Sequence, residues 1–124
     1  MPANRTLLYQ WHFVLSVTWD IITTPVVLGR SVTLRCVVPD STCNESNPCH
    51  WTGGPSYKLI GMNGISMNNS KYNVMINNTS FSFYMDLVID SLVYSDLDCD
   101  YTCGCGFAEF NKNLSVKRNE ILCE

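Results

Sequence analysis

The sequence predicts an all-β protein built as an antiparallel sandwich or barrel, and two observations lead there. Apolar and polar residues alternate along SVTLRCVV, FSFYMDLVI and YSDLDCDYTCGCGF, and no segment carries a sustained apolar stripe of helical period. Turn-forming residues interrupt the chain at short intervals, which is typical of many short strands rather than of alternating strands and helices. At 124 residues the chain has room for one hydrophobic core.

The first two stretches each place a row of apolar side chains on a buried face. In SVTLRCVV, Leu34 and Cys36 belong to the inward row, and in FSFYMDLVI Leu87 does so. By alternation the inward rows also include Val32, Val38, Phe81, Phe83, Met85 and Ile89. Both stretches are therefore predicted to be half-buried strands.

The third stretch packs three cysteines into seven residues beside a run of aspartates. Alternation predicts an inward row of Cys99, Tyr101, Cys103, Cys105 and Phe107. The outward row consists of Asp98, Asp100, Thr102, Gly104 and Gly106. We therefore expect the cysteines to face a core, and Asp96, Asp98 and Asp100 to form an acidic cluster at the surface.

Composition predicts an extracellular chain, either secreted or at the cell surface. Seven cysteines in so short a chain are typical of disulfides in an oxidising compartment. Only 15% of the residues are charged, and glycans attached to Asn-x-Ser/Thr sequons would supply the missing hydration. Six sequons begin at Asn4, Asn44, Asn68, Asn77, Asn78 and Asn113. The predicted glycosylation sites are Asn44, Asn68, Asn77 and Asn113.

Several classes of function find no support in the residues. A net charge of −3 without a basic run argues against a nucleic-acid partner. Cys99, Cys103, Cys105 and His50 could be proposed as metal ligands, but their spacing differs from the C-x2-C knuckle of structural zinc. With His12 as the other histidine, no catalytic constellation can be assembled. We expect no enzyme activity, no cofactor and no metal.

The predicted domain organisation has three parts. Residues 1–17 are interpreted as a leader-like segment or an N-terminal arm, and both interpretations stay open. Residues 18–119 form the domain, and residues 120–124 a tail leading toward a stalk. No run of 18 or more apolar residues exists, so attachment to a membrane is expected only through a segment outside this chain.

Four residues at characteristic spacing resemble the variable-type immunoglobulin domain. Cys36, Trp51, Tyr101 and Cys103 occur in this order, with 15 residues from Cys36 to Trp51 and 67 from Cys36 to Cys103. The resemblance extends from Trp19 to about Lys117, with LGRSVTLRC similar to strand B of the family and NKNLSVK to strand G.

The resemblance implies a Greek-key β-sandwich of two antiparallel sheets. It also implies a Cys36–Cys103 disulfide with Trp51 packed on it, and a tyrosine corner at Tyr101. The family pairs a cation at the start of strand D with an aspartate before strand F, so Lys71 is expected to pair with an aspartate near residue 97, either Asp96 or Asp98. After Cys103 the Phe-Gly-x-Gly motif of rearranged antigen receptors is missing.

The topology of that family suggests partners for the other five cysteines. Cys43, Cys49 and Cys105 are expected at one end of the sandwich, and Cys99 and Cys123 at the other. We favour Cys49 with Cys105, and the local pair Cys43 with Cys49 is the competitor. Cys99 with Cys123 would fasten the tail, unless Cys123 is kept for a bond to another chain.

In function, the resemblance implies an extracellular protein-recognition module, as in immune-type or cell-adhesion receptors. The partner would be a protein ligand or receptor, either a copy of itself or another protein. The expected surface is the outward side of strands G, F, C and C′, with His50, Thr52, Asp100, Thr102 and Gly104, and a glycan on Asn113 would block it. The alternative is a secreted or structural domain that oligomerises through an unpaired cysteine.

Overall fold

The structure is a computed structural model that describes residues 16–38, 48–78 and 83–123. Their regular structure is β apart from two short 3-10 turns, Tyr94–Asp96 and Arg118–Glu120. The strands are β1 (Thr18–Ile21), β2 (Val26–Leu28), β3 (Val32–Val38), β4 (Cys49–Gly53), β5 (Lys58–Met62), β6 (Ile65–Ser66), β7 (Tyr72–Asn78), β8 (Phe83–Ile89), β9 (Asp100–Cys105), β10 (Ala108–Asn113) and β11 (Ile121–Cys123). Within these ranges no helix has the length and apolar character needed to cross a membrane.

The strands form two antiparallel sheets and one short parallel pair. One sheet has the order β1-β3-β8-β7 and the other β10-β9-β4-β5-β6, while β11 pairs with β2. These orders correspond to strands A-B-E-D and G-F-C-C′-C″ of the variable-type sandwich, with β2 as A′. The predicted fold class is therefore confirmed.

The core lies between the sheets around two tryptophans and a tyrosine. The Trp19 and Trp51 rings pack with centroids 6.2 Å apart, and the Trp19 indole N–H donates to the carbonyl oxygen of Tyr101 at 2.8 Å. Leu34 and Leu87 are directly opposite each other on β3 and β8, and neither is exposed to solvent. All four predicted core residues, including Tyr101, are thus buried.

The corner between β8 and β9 is fixed by Asp96, which is only 2% exposed. Its carboxylate accepts hydrogen bonds from Lys71 Nζ at 2.7 Å and from the Val93 amide at 2.9 Å. The Tyr101 hydroxyl donates to the Asp96 carbonyl oxygen at 2.9 Å, which is the expected tyrosine corner. The prediction of a surface position is therefore wrong for Asp96, because the 3-10 turn brings its carboxylate inward to meet Lys71. Asp98 and Asp100 are exposed, as expected.

The described sandwich reaches beyond residues 18–119 at both ends. Val17 is buried and belongs to the core cluster. After Val116 the turn Arg118–Glu120 carries the chain to β11, which pairs in parallel with β2. The segment expected to form a tail thus contributes a strand, Ile121–Cys123.

Two disulfides between described cysteines converge on β9. Cys36–Cys103 joins the two sheets, and Cys49–Cys105 joins directly opposed residues of β4 and β9, as favoured from the sequence. The expected bond between Cys99 and Cys123 is absent, and both are free thiols. The Cys99 sulfur turns into the corner, 3.2 Å from the Asp96 carbonyl oxygen, whereas Cys123 is exposed on β11.

Several sequence predictions fall on residues outside the described ranges, and no structural statement is made about them. They concern residues 1–15 with Asn4 and His12, Cys43, Asn44 and Phe81.

Candidate functional site

The outward face of the five-stranded sheet brings the predicted binding residues together; we call it the G-F-C-C′ face. Strand register aligns two rows of side chains across it. One row runs Asn111, Thr102, Thr52 and Leu59, and the next runs Glu109, Gly104, His50, Met62 and Ile65. Asp100 lies beside these rows, opposite Asn113. The five predicted residues therefore share one surface, although not all of them reach solvent.

Thr102 forms the floor of this face, because its neighbours cover it. The Tyr57 hydroxyl is 2.6 Å from Thr102 Oγ1, and the Asn111 side-chain amide donates to the same oxygen at 2.6 Å. Thr102 is consequently buried. A partner would touch Tyr57 and Asn111, which alternation within β9 alone could not reveal.

Gly104 serves the fold of the hairpin rather than the approach of a partner. A Cβ placed there would lie 2.5 Å from the Ala108 carbonyl oxygen and 2.9 Å from Glu109 Cγ. The Glu109 carboxylate extends across this position to 3.8 Å from His50 Nε2. The space above Gly104 is therefore filled by the chain's own β10.

Exposed apolar side chains that were not predicted from the sequence occupy the C′–C″ end of the face. Leu59, Met62 and Ile65, which we call the apolar edge, are all exposed, and Ile65 has 67% of its surface accessible. A register shift between Trp51 and Thr52 breaks strict alternation in β5, so KLIGM does not show a simple strand pattern. The Asn63-Gly64 turn between two short apolar runs was the available signal.

At the other end of the face, Phe107 points into solvent instead of joining the inward row of β9. The strand ends at Cys105, and Gly106 has a positive φ of 62°, which turns the chain into the β9–β10 hairpin. Phe107 at the tip is fully exposed. The expected inward position was wrong because a turn resets the phase of alternation.

The predicted glycosylation sites differ in their surroundings. Asn113 is exposed at the margin of the face, where its amide donates to Asp100 Oδ1 at 3.2 Å and the Ser115 hydroxyl contacts its Oδ1. Asn77 is exposed on β7 of the opposite sheet, and Asn68 precedes β7. A glycan on Asn113 would therefore stand beside the face. Glycans on Asn68 and Asn77 would be attached to the segment before β7 and to β7 itself.

The cysteines near the face are not available as metal ligands in the combination considered from the sequence. Cys103 and Cys105 are bound in disulfides. Burial, helped by the nearby carboxylate of Asp96, raises the pKa of Cys99 above its ordinary value, so this thiol stays protonated at neutral pH. In residues 16–38, 48–78 and 83–123, no three His, Cys, Asp or Glu side chains are grouped to hold a metal ion.

Comparison with known proteins finds similarity in structure rather than in sequence. No protein-family model matches the chain, and no curated protein matches it by sequence. The RIG-5 IG1 homodimer structure matches with a TM-score of 0.58 and 14% identity, covering 88% of this chain and 98% of the other. The complex of Dpr1 IG1 with DIP-eta IG1 gives a TM-score of 0.58 and 14% identity over 90% and 98% of the two chains.

A third similar structure is the ectodomain of the teleost fish polymeric Ig receptor. It matches with a TM-score of 0.51 and 14% identity, covering 86% of this chain and 48% of the receptor chain. Identities this low establish the fold alone. Taken with its two-sheet topology and its Cys36–Cys103 bridge, the likeness shows that this chain has the fold of a variable-type immunoglobulin domain.

Proposed function

We propose that the chain is an extracellular recognition domain that binds a protein partner through the G-F-C-C′ face. The observation that carries the proposal is the apolar edge. Leu59, Met62 and Ile65 lie on one surface of the sheet and are exposed together. Clustered exposed apolar residues on a soluble domain commonly mark an interaction site.

The rest of the face has the composition of an interface rim. His50, Glu109 and Asn111 continue the face from the apolar edge toward β10 with groups that can form hydrogen bonds, and Tyr57 adds an aromatic side chain that is half exposed. Protein interfaces combine an apolar centre rich in aromatic residues and methionine with a polar rim. The arrangement therefore suits docking to a protein surface better than enclosure of a small molecule.

Two further observations support an extracellular location and a protein partner. Two structural disulfides are typical of oxidising compartments. Two of the similar structures are of immunoglobulin domains in complexes, a RIG-5 IG1 homodimer and Dpr1 IG1 bound to DIP-eta IG1. We therefore propose that the partner of this chain is either a second copy or another ectodomain, and that it binds the G-F-C-C′ face.

The proposal is tested by substituting one residue on the face and a matched one on the opposite sheet. Ile65→Arg places a charge at the most exposed position of the apolar edge, and Met75→Arg makes a comparable change on exposed β7. A multimerised domain is screened against a panel of ectodomains that includes itself. We expect Ile65→Arg to weaken any binding at least about tenfold, a change of about 1.4 kcal/mol.

Met75→Arg should bind like the unmodified domain, because β7 belongs to the other sheet. Loss of binding with Met75→Arg but not with Ile65→Arg would contradict the proposed face. Failure of the unmodified, correctly disulfide-bonded domain to bind any member of the panel would count against the recognition role itself.

A second candidate is a structural domain that forms a covalent dimer. Cys123 is a free thiol exposed on β11, whereas the other described free thiol, Cys99, is turned into the corner. Non-reducing electrophoresis of the secreted chain separates the candidates. A dimer that Cys123→Ser abolishes and Cys99→Ser preserves would favour the structural role, and a monomer would favour the recognition module.

A further inference from the structure

A groove of about 310 Å³ lies between the turn that joins β4 to β5 and the segment that joins β6 to β7. Its apolar surface comes from Leu59, Met67 and the half-buried ring of Tyr72, and Lys58 and Ser56 supply polar groups. This volume is at the lower limit of ligand pockets, which hold roughly 300 to 1,000 Å³. The groove is therefore large enough for one small ring and too small for a peptide segment.

Asn68 is part of the lining of this groove and begins the sequon Asn68-Asn69-Ser70. The asparagine is exposed, and its Oδ1 accepts hydrogen bonds from the Ser70 hydroxyl at 2.6 Å and from the Ser70 amide at 3.3 Å. Among the described residues, none accepts a hydrogen bond from its Nδ2. The nitrogen that carries an N-glycan is thus accessible at the rim.

We propose that Asn68 carries an N-linked glycan whose first N-acetylglucosamine fills this groove. In the modification, the Asn68 amide nitrogen bonds to C1 of the sugar of a lipid-linked oligosaccharide diphosphate. The bond from C1 to the diphosphate oxygen breaks, the lipid diphosphate leaves with the electron pair, and the nitrogen loses one proton. The inference rests on the extracellular location in the proposed function. Because Leu59 belongs both to this groove and to the apolar edge, the sugar would border the proposed binding face.

The chemistry of the groove fits this sugar. The ring of N-acetylglucosamine presents C–H groups that can pack on the Tyr72 ring and on the thioether of Met67. Its hydroxyl and acetyl groups can form hydrogen bonds with Lys58 and Ser56. Because the sugar is tethered at the rim, it enters the groove as an intramolecular group at high effective concentration. It would cover Met67, which is otherwise 56% exposed.

Asn113 provides the internal comparison among the predicted sites. Its amide donates to Asp100 Oδ1. Neither Asn113 nor its sequon serine, Ser115, lines the groove beside Asn68. A glycan on Asn113 should therefore leave the exposure of Met67 unchanged.

The test uses the chain secreted from eukaryotic cells that make high-mannose glycans, trimmed by an endoglycosidase to one N-acetylglucosamine per site. Peptide mass spectrometry measures the occupancy of each sequon and the rate at which dilute peroxide oxidises each methionine. We expect Asn68 to be occupied, and Met67 to react about threefold or more slowly than in Asn68→Gln, because oxidation follows exposure. Met75, which is 46% exposed on β7, should react at the same rate in both proteins.

Asn113→Gln is the matched variant, and it should leave the Met67 rate as slow as in the trimmed parent chain. The proposal is overturned if Asn68 carries no glycan. It is also overturned if Asn68 is glycosylated but Met67 is oxidised at the same rate with and without the sugar. A change in the Met75 rate in Asn68→Gln would reveal a folding defect, and the parent chain would then be compared before and after enzymatic removal of all sugar. Equal Met67 rates in that comparison would again overturn it. None of these measurements depends on a binding partner.

Discussion

Removing the ammonium group of Lys71 should destabilise the domain strongly, because that group satisfies three acceptors at the corner between β8 and β9. Lys71 Nζ donates to Asp96 Oδ2 at 2.7 Å, to the Asp90 carbonyl oxygen at 3.0 Å and to the Ser91 carbonyl oxygen at 3.3 Å. The Lys71 and Asp96 side chains are 25% and 3% exposed. Lys71→Met keeps most of the side-chain volume and leaves the Asp96 carboxylate without its counter-ion.

The expected loss follows from this burial. Breaking a buried ion pair by removing one partner costs about 3 to 5 kcal/mol, because the remaining charge is uncompensated. Since Lys71 keeps some contact with solvent, we expect the lower end, about 3 kcal/mol. Asp96→Asn in the same molecule neutralises the stranded group and still offers an oxygen to the Val93 amide. The double variant should therefore be more stable than Lys71→Met alone, by about 1 to 2 kcal/mol.

The control is an ion pair of equal length at the surface. Lys112 Nζ lies 2.7 Å from Asp20 Oδ1, but the two side chains are 44% and 76% exposed. Asp20→Asn should cost less than about 1 kcal/mol. Free energies of unfolding come from urea titrations with the disulfides intact. If Lys71→Met costs no more than Asp20→Asn, or if Asp96→Asn gives no recovery, burial does not determine the strength of this pair.

Two further predictions concern β9 and the corner beside it. Burial raises the pKa of both the Cys99 thiol and the Tyr101 phenol above their ordinary values of 9.0 and 10.0, so the unfolded chain binds fewer protons than the folded one at alkaline pH. The free energy of unfolding should be fully retained below about pH 9 and fall above it. In Cys99→Ala the fall should begin only at the higher pH at which tyrosine ionises in the unfolded chain, near its ordinary pKa of 10.0. A decline that begins at the same pH in both proteins would contradict the assignment. Gly104→Ala should cost about 1 to 3 kcal/mol in urea titrations, because its Cβ would lie 2.5 Å from a backbone oxygen of β10, and a neutral effect would show that the hairpin adjusts freely.

The fold was predictable because its main determinants are local and periodic. Alternation with period two determines which side chains of a strand share a face, so Cys36 and Leu34 could be assigned to the core. The same periodicity explains the prediction for Cys49 and Cys105. Each lies two residues from a core residue, Trp51 or Cys103, so both point to the same side of neighbouring strands.

Much of the candidate site was less predictable, because it depends on turns and on partners distant in sequence. At the corner outside this site, the resemblance predicted a partner for Lys71 but left Asp96 and Asp98 open, and Asp96, 25 residues away in sequence, is the buried partner. Phe107 follows a turn at which alternation ends, and the outward directions of Leu59 and Met62 depend on a register shift in the pairing of β4 with β5. The sequence therefore identified the proposed G-F-C-C′ face through β4 and β9 but missed exposed side chains that project from it.

The two disulfides have a mechanical consequence. Because Cys36–Cys103 and Cys49–Cys105 interlock along the chain, residues 36–105 form one covalently closed unit. Among the described strands, tension applied to the two ends can peel away β1, β2 and the start of β3 before that unit, and β10 and β11 after it. The domain should therefore lengthen little under load, with β3, β4 and β9 held together by the two bridges even after the outer strands have come away.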